Sequence, residues 1–174
     1  METKRDKLQT QRLVLKAFDE RDRQPMVDIF FNEEIKKTYM IPDFSEKKQA
    51  EALFEKLMNY SRAENRFVYG IYYNNTLIGF LNDCEINGSM IEVGYVIAPE
   101  YQRRGFATEA LQICIEELFR MGFEHVKAGF FEGNLPSCRV MQKCGMQKLN
   151  YEDDLEYKGV MRHCIYYGID KANV

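Results

Sequence analysis

Gly94-Tyr95-Val96-Ile97-Ala98-Pro99-Glu100-Tyr101-Gln102-Arg103-Arg104-Gly105-Phe106-Ala107-Thr108-Glu109-Ala110-Leu111 decides the fold. An apolar strand runs into Pro99, a short basic turn follows, and a helical stripe begins at Ala107. Backbone N–H groups at a helix start, helped by the helix dipole, make an anion site. Gly105 and Ala107 leave room for close approach, Arg103 and Arg104 bring positive charge, and Thr108 offers a hydroxyl. GxxxxGK[ST] and GxGxxG are both absent, so neither a P-loop nor a dinucleotide fingerprint is present. Taken alone, the turn equally suits a glycine at a helix start with solvated arginines.

Upstream, Phe67–Tyr73, Thr76–Ile86 and Met90–Ile97 are rich in β-branched and aromatic residues. Asn74-Asn75 and Asn87-Gly88 separate them as hairpin turns, so three strands form an antiparallel meander. Downstream, Ala107, Ala110, Leu111, Cys114, Ile115, Leu118 and Phe119 form one helical face, closed by Gly122. His125–Phe131 is the next strand. Strand, helix and strand in that order predict a right-handed crossover and a parallel pair. Pro136 opens a short helix that stops at Gly145, and Met146–Leu149 and Val160–Ile169 are the last strands. Nearer the start, residues 1–10 read as an irregular lead-in, Leu13–Phe18 as a strand and Asp22–Phe31 as a helix. Ser45 is the expected N-cap of a helix whose Ala50, Leu53, Phe54, Leu57 and Met58 share one face. The mixed sign of its polar face favours core packing over a membrane surface. The fold class is α/β: one domain with a mixed, mostly antiparallel sheet flanked by helices.

At 174 residues, 45% of them hydrophobic, the chain can bury a real core. Its charge of −3 argues against a general nucleic-acid binder. No apolar run approaches the ~20 residues of a membrane span. The first residues lack the pattern of a secretory signal. Five cysteines without a CxxC pair, and two histidines, give no metal-ligand spacing. Reduced thiols in a cytoplasmic protein are expected, with neither nucleic acid nor membrane as partner.

Gln/Arg-x-x-Gly-x-Gly/Ala between a hairpin strand and an amphipathic helix resembles the acetyl-CoA pyrophosphate loop of the GNAT N-acetyltransferases. Asn134-Leu135-Pro136-Ser137-Cys138-Arg139-Val140-Met141-Gln142-Lys143-Cys144-Gly145-Met146 is similar to that family's Asn-x-x-Ser-x-x-x-x-x-Lys-x-Gly-Phe segment, with Met146 in place of Phe. The opening Leu8–Phe18 and the closing Tyr166-Tyr167-Gly168-Ile169 resemble the RimJ/RimL branch, which acetylates ribosomal-protein N-termini. The likeness spans about residues 8–170.

The resemblance implies acetyl-CoA as co-substrate, no metal, and direct attack by an amine in a ternary complex. It implies a splayed strand pair at the acetyl-CoA site. Val96, Ile97 and Ala98 would offer backbone groups to pantetheine, and the N–H of Ile97 or Ala98 would polarise the thioester carbonyl. The amides from Arg103 through Arg104, Gly105, Phe106 and Ala107 to Thr108 would hold the pyrophosphate. Asn134 would bond the pantetheine arm, Ser137 would sit near the sulfur, and Arg139 and Lys143 would reach the nucleotide or simply face solvent. Glu92 is the candidate base, with a cross-strand ion pair as its alternative and Glu85 as a second candidate. Many GNAT enzymes protonate the leaving thiolate with a Tyr seven residues after the Asn. That position is Met141 here, so Ser137 becomes the candidate acid, with Tyr95, Tyr101 and Tyr151 unplaced. The acceptor implied is a protein or peptide N-terminus. A polyamine, amino acid or amine antibiotic is the rival, and an idle acyl-CoA-binding module is a third reading. A homodimer is left open.

Overall fold

A computed structural model describes residues 2–173. Its frame is an eight-stranded sheet: β1 (Lys7–Gln9), β2 (Leu13–Lys16), β3 (Val68–Tyr73), β4 (Thr76–Asn87), β5 (Met90–Ile97), β6 (His125–Phe131), β7 (Gln147–Tyr157) and β8 (Val160–Asp170). The order is β1-β2-β3-β4-β5-β6-β8-β7. Only β5 and β6 run parallel, joined across the helix α4 (Phe106–Met121) as the crossover rule requires. The expected meander is present, and Asn74 and Asn75 both take positive φ in its first turn.

Alternation along the strands makes two apolar layers. On one side Leu111, Cys114 and Leu118 of α4, with Met141 of α5 (Leu135–Lys143), pack on Ile91, Val93, Val126 and Ala128. On the other, α1 (Arg23–Phe31) and α3 (Lys47–Arg62) cover Val68, Phe80 and Val96, with α2 (Glu33–Lys36) beside them. Phe54 of α3 is fully buried, a contribution of about 2–3 kcal/mol. The α3 stripe therefore faces the core. No helix among the described residues is long and apolar enough to cross a membrane.

Four local expectations need correction. Residues 7–9 are not irregular but pair with β2, and only Leu8 of the three is buried. The N-cap of α3 is Glu46 rather than Ser45; the Gln49 side chain accepts from the Ser45 and Glu46 amides. The second hairpin turns at Gly88-Ser89, since Asn87 still pairs with Met90. Finally, β7 continues to Tyr157, eight residues past Leu149, and forms with β8 a long two-stranded arm at the sheet edge.

Candidate active site

The parallel ladder between β5 and β6 spans only Met90–Glu92 opposite His125–Lys127. Beyond it β5 stays with β4 as far as Ile97 and leaves β6, which opens the expected splay. The N–H of Ala98 donates to the Ile78 carbonyl at 2.8 Å. Peptide groups alternate edges along a strand, so Val96 shares Ala98's edge toward β4, while Tyr95 and Ile97 turn toward the splay. Of the two N–H groups expected to polarise a carbonyl, that of Ala98 is therefore occupied and that of Ile97 is presented. Gln102 Nε2 donates to the Ile97 carbonyl at 2.8 Å and ties the following turn to the strand end.

In that turn Arg103 and Gly105 have φ of 60° and 80°. The left-handed step at Gly105 starts α4 without a side-chain cap, so the first helical N–H groups remain for an anion. Arg103 and Arg104 are exposed; Ala107 and Thr108 are half-buried. The Phe106 side chain does something else: its buried ring has the guanidiniums of Arg12 and Arg104 4.6 and 4.8 Å from its centroid. Arg12, which motif reading passed over, also donates to the Arg104 carbonyl at 3.0 Å and pairs with Glu109 at 2.7 Å. Glu109 resists protonation despite burial, because Thr10 and Arg12 bond its carboxylate.

Asn134 caps α5, its Oδ1 accepting from the Ser137 N–H at 3.4 Å, which leaves Nδ2 as the group able to donate to a ligand. Ser137 Oγ lies 2.9 Å from the Tyr95 hydroxyl. Burial holds the Tyr95 phenol well above its usual pKa, against the Ser137 hydrogen bond. Two neutral hydroxyls thus share a hydrogen bond at the splay. Arg139 and Lys143 are exposed on α5. Cys138 is half-buried against the Tyr167 hydroxyl at 3.5 Å, and all five cysteines are free thiols.

The opposite face of β5 carries Glu92, at the last rung of the parallel ladder. Lys127 Nζ meets its carboxylate at 3.0 Å and that of Glu85 at 3.1 Å. Burial would lower the Lys127 pKa, but the two carboxylates outweigh it and raise it. The cross-strand ion pair expected as the alternative for Glu92 is therefore present. Tyr39, from the segment after α2, lies over Gly94 and donates to Asn82 Oδ1 at 2.6 Å. A Cβ on Gly94 would stand 2.7 Å from the Tyr39 hydroxyl, so a larger residue there would push the tyrosine tip aside. The β7–β8 arm closes the face from above: the Tyr157 hydroxyl donates to the Ile41 carbonyl at 3.0 Å and sits 3.3 Å from the Tyr39 carbonyl.

Acetyl-CoA fits these groups. An uncapped helix start flanked by arginines suits a pyrophosphate, and the Ile97 peptide with Asn134 Nδ2 suits an amide-bearing arm. The sequence pattern of the Acetyltransferase (GNAT) domain matches residues 12–147. The uncharacterized N-acetyltransferase YoaA of Bacillus subtilis (strain 168) is 27% identical over 164 residues, covering 91% of this chain and 88% of that one. The GNAT-family acetyltransferase of Bacillus anthracis superposes with a TM-score of 0.82 at 22% identity, over 95% of this chain and 99% of that one. The ribosomal alpha-N-protein acetyltransferase RimL, solved with coenzyme A, superposes with a TM-score of 0.80 at 16% identity, over 92% and 95%.

Proposed function

Since this chain belongs to the GNAT acetyltransferase family and is an N-acetyltransferase, we propose that it acetylates the N-terminal α-amine of a protein or peptide by direct attack in a ternary complex. The Glu92–Lys127 ion pair is the observation that carries this reading. Lys127 occupies one oxygen of that carboxylate, so only the other is open to a proton from the amine. A peptide α-amine has a pKa of ~7.7–8.0, so roughly 20–30% is neutral near pH 7.4; for a lysine amine at ~10.4 the neutral share is about 0.1%. The α-amine is the acceptor that needs least from such a base. The resemblance to RimJ/RimL supports the same acceptor.

Acetyl-CoA is held through the Phe106–Thr108 amides, with Arg103 and Arg104 neutralising phosphate charge and Asn134 bonding the pantetheine arm. The Ile97 N–H donates to the thioester oxygen as negative charge develops there. The neutral amine attacks the carbonyl carbon, forming the C–N bond. Its excess proton leaves to water or to the Glu92 oxygen not bound by Lys127. The C–S bond breaks, and Ser137 Oγ, oriented by the neutral Tyr95 hydroxyl, supplies a proton to the thiolate and regains one from solvent, which balances the proton released by the amine.

A thiol-release screen with acetyl-CoA across N-terminal peptides, polyamines, free amino acids and amine antibiotics tests this. Peptide N-termini are expected to give the highest kcat/KM, with intersecting initial-rate lines. A polyamine or antibiotic that outruns every peptide overturns the acceptor. Parallel lines or a trapped acetyl-Cys138 overturn direct attack.

A further inference from the structure

Between α2 and the turn of the β7–β8 arm lies a cavity of about 210 Å³ whose lining includes Lys36, Lys37, Lys158 and Arg162, with Tyr157 and the carboxylate of Glu33. Each lysine already has a carboxylate: Lys36 meets Glu33 at 2.9 Å, Lys37 meets Glu34 at 2.6 Å and Lys158 meets Asp43 at 2.7 Å. Arg162 has none among the described residues. One of its terminal nitrogens donates to the Lys37 carbonyl at 2.9 Å, and its Nε is buried with no partner. A guanidinium presents five donors in a fixed fork, and a buried donor without an acceptor costs the full desolvation of that group. That Nε is covered by protein, so the donor left for a ligand in the cavity is the terminal nitrogen that the Lys37 carbonyl does not take.

The guanidinium is also pre-positioned. It lies 5.1 Å from the centroid of the Phe131 ring, which stacks on Tyr157 at 5.8 Å. Phe131 ends β6, three residues before Asn134, so the stack stands beside the splay. By strand alternation Arg162 shares its face of the sheet with Cys164 and Tyr166, which lie against Gly129, and Tyr166 neighbours Lys127 and through it Glu92. Arg162 thus lies on the Glu92 face of the sheet, the face on which an amine would hand its proton to Glu92.

We propose that Arg162 is the anchor of an anion subsite for the acceptor, taking a carboxylate carried a short distance from the reacting amine. This rests on the acetyl-transfer reading and deepens it: the acceptor is an amine with an acidic group. Two sources share that chemistry, an acidic side chain near a peptide N-terminus and the α-carboxylate of a free amino acid. A planar fork over an aromatic ring matches either better than a lysine would.

The test uses the full chain and two matched acceptor pairs: peptides differing only by Asp or Asn at the second residue, and a free amino acid against its amide. The expected kcat/KM ratio favours the acidic member, mainly through KM. In Arg162→Gln that ratio falls by about 10–100-fold, the scale of losing a hydrogen bond to a charged group. Arg162→Lys retains part of it. Whichever pair shows the preference identifies the source. Independently of turnover, the Arg162 Nε–H resonance of labelled protein, assigned by its loss in Arg162→Lys, should shift on titration with the Asp peptide and not the Asn peptide. Equal rates for both members of both pairs, or an unmoved resonance, overturn the subsite while leaving acetyl transfer standing. Absence of turnover with every amine, with the resonance shifted, overturns the acetyl-transfer reading and leaves the anion site.

Discussion

The turn before α4 and the roof over the acceptor face make their sites from different material. In the turn, two left-handed residues and an uncapped helix start arrange backbone N–H groups within Arg103–Thr108. In the roof, Tyr39 reaches Asn82 across 43 residues and meets Tyr157 across 118. A site made of backbone fails when its local conformation or charge is spoiled. A site made of side chains from distant elements degrades by degrees and can be retuned without losing the co-substrate. Sensitivity to substitution should therefore fall steeply from the turn to the arm.

Gly105→Glu should break the molecule at the first of these. It strains a left-handed position by about 1–2 kcal/mol and sets a carboxylate against phosphate. Acetyl-CoA affinity measured by calorimetry should drop below detection, while Gly105→Ala, which adds the strain alone, keeps part of it. Unchanged affinity in a folded Gly105→Glu protein would remove the turn as the cradle.

Next in size is Ser137→Ala, expected to lower kcat by about 10–10³-fold with little change in acetyl-CoA affinity. Tyr95→Phe should cost less, because it removes the second hydroxyl and keeps the first. If Tyr95→Phe costs more than Ser137→Ala, the tyrosine is the proton donor and the serine orients it.

Glu92→Gln separates the two faces more gently. It should cut kcat/KM for a lysine side-chain acceptor by a larger factor than for a peptide N-terminus, and move the pH profile upward, because the neutral lysine amine is the scarcer. Equal losses with an unmoved profile would assign Glu92 to the Lys127 ion pair alone.

The smallest effect belongs to the arm. His163 bonds Asp154 at 2.8 Å and Glu152 at 3.0 Å, and these carboxylates raise its pKa above 6.5. A pKa raised by folding stabilises fully below the unfolded value and is lost as pH rises through the folded one. Between pH 6 and 8, Tm should therefore decline by about a degree or two more in the parent than in His163→Asn, the scale of an exposed ion pair. Parallel Tm curves would show that the histidine carries no such linkage.

The same division governs what could be read from residues alone. The meander and the crossover helix follow from local patterns, because hairpin asparagines and a helical stripe are short-range signals, whereas the splay was implied by the family resemblance of the turn and Asn134 motifs. The strand Lys7–Gln9 was hidden because three residues with one apolar member carry no period. The far half of β7 was hidden because a register shift between Lys148 and Glu152 interrupts its alternation, and its charged residues resemble a loop. Gln49 was the readable sign that α3 is capped through its third residue rather than by Ser45. Arg12, Tyr39 and Arg162 act on residues between about 40 and 125 positions away, and nothing in their own neighbourhoods announces it.

The parting of β5 from β6 also divides the amides of a single strand into two kinetic populations. Ala98 has its proton fixed on the Ile78 carbonyl, so its exchange with solvent deuterium waits for β4 and β5 to separate. Ile97, one residue earlier and facing the gap, has no neighbouring strand on that edge and exchanges from the closed sheet. Adjacent protons on the same chain would then differ widely in lifetime, and filling the gap should slow the Ile97 proton toward its neighbour's while leaving Ala98 almost where it was.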